Sequence, residues 1–213
     1  MPIAKRRFGW LASAGWVIAA VFLSLAGLSA CAKTDVASLS ETGPQLDLLD
    51  FFEGESVAYG IFEDRFGNLR RRFKVVIKGE VEGDTLTLTE DFLYADGETQ
   101  QRIWVITDMG QNEAGLRLYS GRAGDVMGSA EGLVAGAAMN WRYDVMLNID
   151  GADWQVHFDD WIYQLDDKVA INRAEVRKFG LAIGSVTLVF LRGAAAEAVG
   201  PVDLENWSSN SQG

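Results

Sequence analysis

Residues 156–163, with the sequence Val-His-Phe-Asp-Asp-Trp-Ile-Tyr, carry the side chains best suited to chemistry. Successive side chains of a β-strand point to opposite faces, so Asp159 would share a face with Trp161 and Tyr163. Asp160 would then lie on the other face. Whichever face is buried, one carboxylate enters the interior, where it needs a cation or hydrogen-bond donors.

Cations and amides elsewhere in the chain could meet that carboxylate. By chemical type, the candidates are Arg102, Arg142, Asn172, Arg173 and Lys178. A functional interpretation makes such a group a polar clamp for a ligand, whereas a structural one makes it an ion-pair network that fixes strand register or closes a barrel end. Both stay open, and the candidate ligand-binding residues are Asp159, Asp160, Arg142, Asn172, Arg173 and Lys178, with Trp161 and Tyr163 as an aromatic wall.

The residue types give little evidence for a catalytic triad, a disulfide framework, a zinc site or an acid–base pair. The single histidine, His157, has no Gly-x-Ser-x-Gly motif with which to complete a catalytic triad. One Cys excludes an internal disulfide framework and a Cys-based zinc site. Glu90 and Asp91 would point to opposite faces of a strand, so they form no obvious acid–base pair. We therefore predict no catalytic residue, no metal site and no cofactor.

The elements that must position these residues are β-strands. Segments between Gly, Asp and Asn alternate apolar and polar residues, as at 85–89 and 141–149, which is typical of strands with one buried face. We predict strands at 55–63, 69–81, 84–95, 100–109, 115–121, 126–136, 140–149, 153–164, 168–178 and 183–192. Such sequential strands favour an all-β, antiparallel up-and-down barrel, with a two-sheet sandwich as the alternative. A short helical turn is predicted near residues 46–52.

Residues 121–138 are rich in Gly and Ala but contain no Gly-Lys-Ser/Thr phosphate loop. Small residues in consecutive strands allow tight curvature or a close approach of the backbone. We therefore expect this segment to have a structural role.

The N-terminal segment differs from the rest of the chain. Basic residues at 5–7 precede an uncharged stretch at 8–30, and Leu-Ser-Ala-Cys at 28–31 matches the bacterial lipobox. This pattern predicts a signal peptide over 1–30 and an acylated Cys31, with a permanent transmembrane helix as the alternative. In lipoproteins with this motif, an Asp after the Cys often marks retention in the inner membrane; the residue here is Ala32, so the resemblance favours the outer membrane, facing the periplasm. A tether over 31–45, a barrel over 46–192 and a flexible tail over 193–213 would follow.

The charge balance narrows the choice of partners. The 213 residues carry 19 Lys and Arg against 30 Asp and Glu, and cleavage before Cys31 would reduce the cations to 16. A chain this acidic does not suit the phosphate backbone of nucleic acids. It would also stay off anionic lipid surfaces and suit a basic partner.

Short motifs recur in an order that is similar to a known family. They include Glu90-Asp91-Phe92-x-Tyr94-x-Asp96-Gly97, Arg102-x-Trp104, Asn140-Trp141-x-Tyr143, Val156-x-Phe158-Asp159-Asp160-Trp161-x-Tyr163, Asn172-Arg173-Ala174 and Lys178-Phe179-Gly180. From about Leu46 to Leu191 the chain resembles the DUF3833 family of proteobacterial envelope lipoproteins. The resemblance implies a lipoprotein with a lipocalin-like β-barrel. Because the function of the family is unknown, it implies no catalytic residues.

Three functions remain open. The first is a binding module whose barrel takes a hydrophobic small molecule or lipid, which the aromatic content and the membrane anchor favour. The second is a structural or interaction protein that assists outer-membrane assembly. The third is a lipid-modifying enzyme that uses Asp159 or Asp160 with Arg173. The residue pattern favours the first, and the enzyme is the least supported.

Overall fold

The computed structural model describes residues 34–149 and 151–207. Its ten strands form one closed antiparallel barrel, in which each strand pairs with the next and β10 pairs with β1. The strands are β1 Gly54–Asp64, β2 Leu69–Glu82, β3 Thr85–Tyr94, β4 Thr99–Gln111, β5 Arg117–Arg122, β6 Val126–Ala135, β7 Ala138–Ile149, β8 Ala152–Gln164, β9 Val169–Lys178 and β10 Leu181–Arg192. The predicted all-β, up-and-down barrel is therefore confirmed, and the sandwich alternative is wrong.

Alternating side chains fill the barrel interior. In β3, Leu86 and Leu88 are buried, while the alternating Thr85, Thr87 and Thr89 are partly exposed. Glu90 follows in the same inward row, because its register partner in β2 is the buried Ile77. The same alternation places Asp91 on the outer face, where its carboxylate accepts a hydrogen bond from the Gln101 side chain at 2.8 Å. The two acidic residues point apart, as the sequence predicts.

A short helix closes one end of the barrel. Helix α1, Leu48–Phe52, lies within the predicted helical turn, and the Asp47 side chain caps its first amides. Phe51 and Phe52 are buried, and the Phe52 ring packs edge-on against Phe190 of β10 at 5.1 Å between centroids. The helix backbone comes so near β2 that a Cβ on Gly79 would lie 1.8 Å from the Phe52 carbonyl oxygen. We call this the plugged end, and the end with the β1–β2, β3–β4, β5–β6, β7–β8 and β9–β10 turns the open end.

The segment before the barrel packs against its wall. A 3-10 helix, Val36–Leu39, contacts β6 and β7, and Val36 is buried. The Leu46 amide donates to the Gly136 carbonyl at 2.9 Å, and the Thr42 hydroxyl accepts from the Ala137 amide at 3.1 Å. These contacts hold residues 36–46 at the plugged end, whereas the sequence suggested a tether over 31–45. The predicted leader and Cys31 lie outside the described residues.

The segment after the barrel also contacts the wall. Helix α2 spans Gly193–Val199. Beyond it, the buried Lys74 of β2 donates to the Asn206 carbonyl at 2.9 Å and lies 5.7 Å from the centre of the Trp207 ring. The sequence suggested a flexible tail over 193–213, but a buried cation and an aromatic ring hold the part up to Trp207. Within the described part of the chain, no helix is long and apolar enough to cross a membrane.

Candidate functional site

The predicted site residues divide between the two faces of the barrel wall. Asp160 faces inward, because it pairs with Trp141 of β7 and Ala174 of β9, which are both buried in inward rows. Asn172 and Lys178 share the inward row of β9. The alternation places the other five on the outer face: Asp159, Trp161, Tyr163, Arg142 and Arg173. The structure therefore does not bring the eight residues together as one site.

The outer-face residues form a separate group on β7, β8 and β9. Asp159 stands opposite Arg142 in the strand register and accepts a hydrogen bond from Asn140 at 2.7 Å. The Trp161 and Tyr163 rings stack with centroids 6.1 Å apart. The group thus combines a polar contact between β7 and β8 with an aromatic stack along β8.

Inside the barrel, a cluster of polar groups forms around Arg102. We call it the inner polar cluster, and its members are Glu90, Arg102, Asp125, Tyr143 and Asp160. Glu90 of β3 stands opposite Arg102 of β4, and a guanidinium nitrogen of Arg102 lies 2.5 Å from the Asp125 carboxylate. The Tyr143 hydroxyl donates a hydrogen bond to Asp160. Residues from five positions in the chain thus meet in one place.

The electrostatics of the inner polar cluster favour neutral carboxyl groups. Burial raises the pKa of Glu90 to about 7, although Arg102 and a hydrogen bond from Trp104 oppose the shift. Burial also raises the pKa of Asp160 to about 7, against the hydrogen bond from Tyr143. The pKa of Tyr143 is raised well above its ordinary value by burial and by Asp160. The Glu90 and Asp160 carboxyl groups therefore each titrate near neutral pH, and the Tyr143 hydroxyl stays protonated.

Arg102 remains charged within this cluster. Burial lowers the pKa of its guanidinium, but Tyr143, Glu90 and Asp125 raise it by more. The cluster thus contains one permanent cation and three carboxyl groups, of which Asp125 is the one in direct contact with that cation.

Some polar atoms in and beside the cluster lack hydrogen-bond partners among the described residues. Asp160 is 5% exposed and Asn172 is 6% exposed, and each has a side-chain oxygen, Oδ1, with no partner. One Asp125 oxygen and the Arg102 Nε are also buried without a partner. Asp160 and Asn172 are diagonal neighbours on the inward face of β8 and β9. A buried polar atom without a partner is costly, so such atoms mark a place where a bound group could complete the bonding.

Aromatic rings enclose the cluster. Trp104 packs edge-on against Trp141 at 5.6 Å and against Tyr143 at 5.2 Å between centroids. Phe158 stacks on Tyr143 at 5.2 Å. Nearer the open end of β3, Phe92 and Tyr94 stack at 6.1 Å. The polar groups therefore lie within an apolar, aromatic surrounding.

Solvent reaches this region from the open end. Phe92, Tyr94 and Phe158 face inward yet remain partly exposed, whereas the inward residues next to α1 are buried. The Arg102 side chain is 16% exposed, so the cluster itself touches solvent. At the rim, Lys178 Nζ lies 3.0 Å from the centre of the Trp154 ring.

A groove also lies on the rim of the open end. It has a volume of about 330 Å³ and is lined by Leu69, Arg70, Arg71, Arg72, Ala95 and Asp96. Arg71 forms ion pairs with Asp96 at 2.9 Å and with Glu98 at 2.8 Å, and its guanidinium stacks on Tyr94 at 3.7 Å. The Arg71 guanidinium is therefore already paired with two carboxylates and a ring within this groove.

Most of the inner polar cluster is not evident from the sequence. Arg102 is a candidate partner of the buried Asp by its chemical type, but no sequence motif connects Glu90, Asp125 or Tyr143 with that Asp. One usable signal was present: Trp154, Val156 and Phe158 put the apolar face of β8 at even positions, which places Asp160 inside. Among the described residues, no group of three His, Cys, Asp or Glu side chains could hold a metal ion.

A family model, described as a protein of unknown function (DUF3833), matches residues 25–192. The chain belongs to this family. Its barrel also resembles a solved structure of a protein of unknown function from the DUF3598 family of Nostoc punctiforme PCC 73102, with a TM-score of 0.52 and 14% identity. The match covers 76% of this chain and 53% of the other, so this DUF3833 chain spans about half of that protein, and the likeness shows the fold alone. A search of curated proteins gave no significant match.

Proposed function

We propose that this DUF3833 protein is a cell-envelope lipoprotein whose barrel binds an amphipathic small molecule or lipid. The polar part of the ligand would contact the inner polar cluster, and its apolar part would lie along the aromatic side chains towards the open end. The observation that carries the proposal is the buried Asp160 oxygen, which faces inward without a partner beneath a solvent-accessible aromatic lining.

The arrangement has the features of a small-molecule site. Such sites are mostly apolar and carry a few polar groups that fix the orientation of the ligand. Here Phe92, Tyr94 and Phe158 supply partly exposed apolar surface inside the wall. Asp160 and Asn172 supply polar atoms whose hydrogen bonding a ligand would complete. A purely structural network would gain nothing from leaving these atoms without partners.

Native mass spectrometry of the full chain, released from its detergent micelle, tests the binding. We expect a co-purified or added amphiphile on the wild-type protein. Asp160→Ala should lose at least nine-tenths of the bound species, because it removes the carboxylate that faces the ligand. Asp91→Ala, on the outer face of β3, is the matched control and should keep it. A folded wild-type protein that never carries an amphiphile would contradict the proposal.

The lipoprotein part of the proposal rests on the lipobox at residues 28–31. Cells that express the full chain and are fed a clickable fatty acid should label the protein, since an acylated Cys is the anchor that the motif predicts. Cys31→Ser should abolish the label at equal expression. Retained labelling in this variant would reject the lipid anchor but leave the binding proposal standing.

A further inference from the structure

The inner polar cluster also indicates which head group the barrel accepts. We infer that the ligand carries a cationic hydrogen-bond donor, such as a primary ammonium, rather than a carboxylate. This inference rests on the proposed function and specifies its ligand.

The first support is the excess of acidic groups. Glu90, Asp125 and Asp160 are grouped around one cation, Arg102, which already pairs with Asp125 at 2.5 Å. Above about pH 7, where Glu90 and Asp160 are ionised, a second cation in the cluster would be attracted by these two carboxylates. A carboxylate placed there would face three acidic neighbours with only one cation to offset them.

The second support is the chemistry of the atoms without partners. On the inward face of β8 and β9, both are oxygens: Asp160 Oδ1 and Asn172 Oδ1. An ammonium has three donors and no acceptor, so its chemistry matches two oxygens that both lack a donor. Arg102 Nε is also without a partner, but an anion bound to it would lie beside Glu90 and Asp125.

The third support is the aromatic surrounding. Trp141 stands directly opposite Asp160 in the strand register, and the rings of Trp104, Tyr143 and Phe158 pack next to one another around it. The faces of aromatic rings attract cations, and sites for ammonium groups combine such faces with carboxylates. An aliphatic chain attached to the ammonium would then extend towards the partly exposed Phe92 and Tyr94.

One inward cation, Lys178, must be considered against this inference. Its Nζ lies at the rim against Trp154, and its backbone is four residues along β9 from Ala174, the register partner of Asp160, or about 13 Å in an extended strand. Repulsion between two charges at that distance is weak at physiological ionic strength, because the screening length is about 8 Å. Lys178 therefore leaves the preference at the cluster unchanged.

Isothermal titration of the full chain with octylamine, octanoate and octanol at pH 8 tests the inference. These ligands share a chain length and differ in the head group, and a detergent-only titration serves as the blank. We expect octylamine to bind at least tenfold more tightly than either of the others. Its affinity should fall at least threefold at pH 5.5, because protonation of Glu90 and Asp160 removes the opposing charge.

Variants of the cluster separate this effect from general binding of an apolar chain. Glu90→Gln and Asp160→Asn should each weaken octylamine binding at least fivefold and octanol binding by much less, while Asp91→Asn should change neither. If octanoate or octanol binds as tightly as octylamine, the head-group inference is wrong and the proposed function stands. If the folded protein binds none of the three, the proposed function fails as well. If Asp160→Asn does not fold, the octylamine affinity of Glu90→Gln alone tests the inference.

Discussion

At the scale of single residues, Glu90 and Asp160 determine how the charge inside the barrel depends on pH. Both face inward and approach Arg102, yet burial raises the pKa of each to about 7. A carboxyl group buried in this way is more stable when protonated, and it becomes a hydrogen-bond donor in that state. The interior therefore changes its charge in the pH range where cells operate.

This charge change makes the stability of the protein depend on pH. The folded state holds protons on Glu90 and Asp160 up to about pH 7, whereas the unfolded chain releases them near the ordinary values of 4.5 and 3.8. The free energy of unfolding should therefore fall as pH rises through that window and level off above pH 7. Glu90→Gln keeps an acceptor for Trp104 without the charge, so it should be more stable than wild type at pH 8 by roughly 1–3 kcal/mol.

Urea unfolding of the full chain at pH 5 and pH 8 measures this difference. The gain of Glu90→Gln over wild type should be largest at pH 8 and small at pH 5. Asp91→Asn, on the outer face, should keep the wild-type pH dependence. An equal offset between Glu90→Gln and wild type at both pH values would show that Glu90 does not titrate near neutrality.

At the scale of elements, the strand boundaries follow from the sequence to within about two residues. Turn residues such as Glu82-Gly83-Asp84 separate segments of strict alternation, so both the period and the ends of β2 and β3 are visible without a structure. The short helix α1 was also predictable, because Leu48, Leu49, Phe51 and Phe52 follow Asp47 without the alternation of a strand. Local patterns are strong where each strand has one buried face.

The pairing of strands that are distant in sequence was not predictable in the same way. The inner polar cluster joins β3, β4, β7, β8 and the β5–β6 turn, and its assembly depends on the closure of the barrel. Four of the eight candidate residues lie at 159–163, where neighbouring positions on a strand alternate between faces, and the other four were candidates by chemical type alone. Only Asp160, Asn172 and Lys178 therefore face the interior.

The Gly/Ala-rich segment shows how one element makes room for another. A Cβ on Gly121 of β5 would lie 2.5 Å from the Trp141 ring, so only glycine lets that indole lie flat against β5. The predicted structural role is thus specific: the small residue admits a large aromatic ring that packs beside Asp160. The sequence shows the small residues, but it cannot show which side chain occupies the space beside them.

At the scale of the whole molecule, the two ends of the barrel differ in how far their apolar side chains are buried. The plugged end holds α1, the 3-10 helix and a continuous apolar core. The open end leaves apolar side chains in solvent, including Phe66 in the β1–β2 turn and Phe179 in the β9–β10 turn. Phe179 has a φ of 51°, a conformation that bulky side chains rarely adopt. The stability of the fold should therefore come mainly from the plugged end.

A pair of matched substitutions measures this asymmetry. Phe52 is 3% exposed within the plug, and Phe179 is 92% exposed at the open end. Phe52→Ala removes a ring that packs on Phe51 and Phe190, so it should lower the free energy of unfolding by about 3–5 kcal/mol. Phe179→Ala removes a side chain with almost no buried surface, so it should change the free energy of unfolding by no more than about 0.5 kcal/mol. Urea unfolding of both variants measures the two losses, and similar losses would contradict the view that the stability of the fold comes mainly from the plugged end. Ligand binding by Phe179→Ala at the wild-type level would further show that the amphiphile is held by the inner polar cluster and the aromatic lining, and not by the exposed turn.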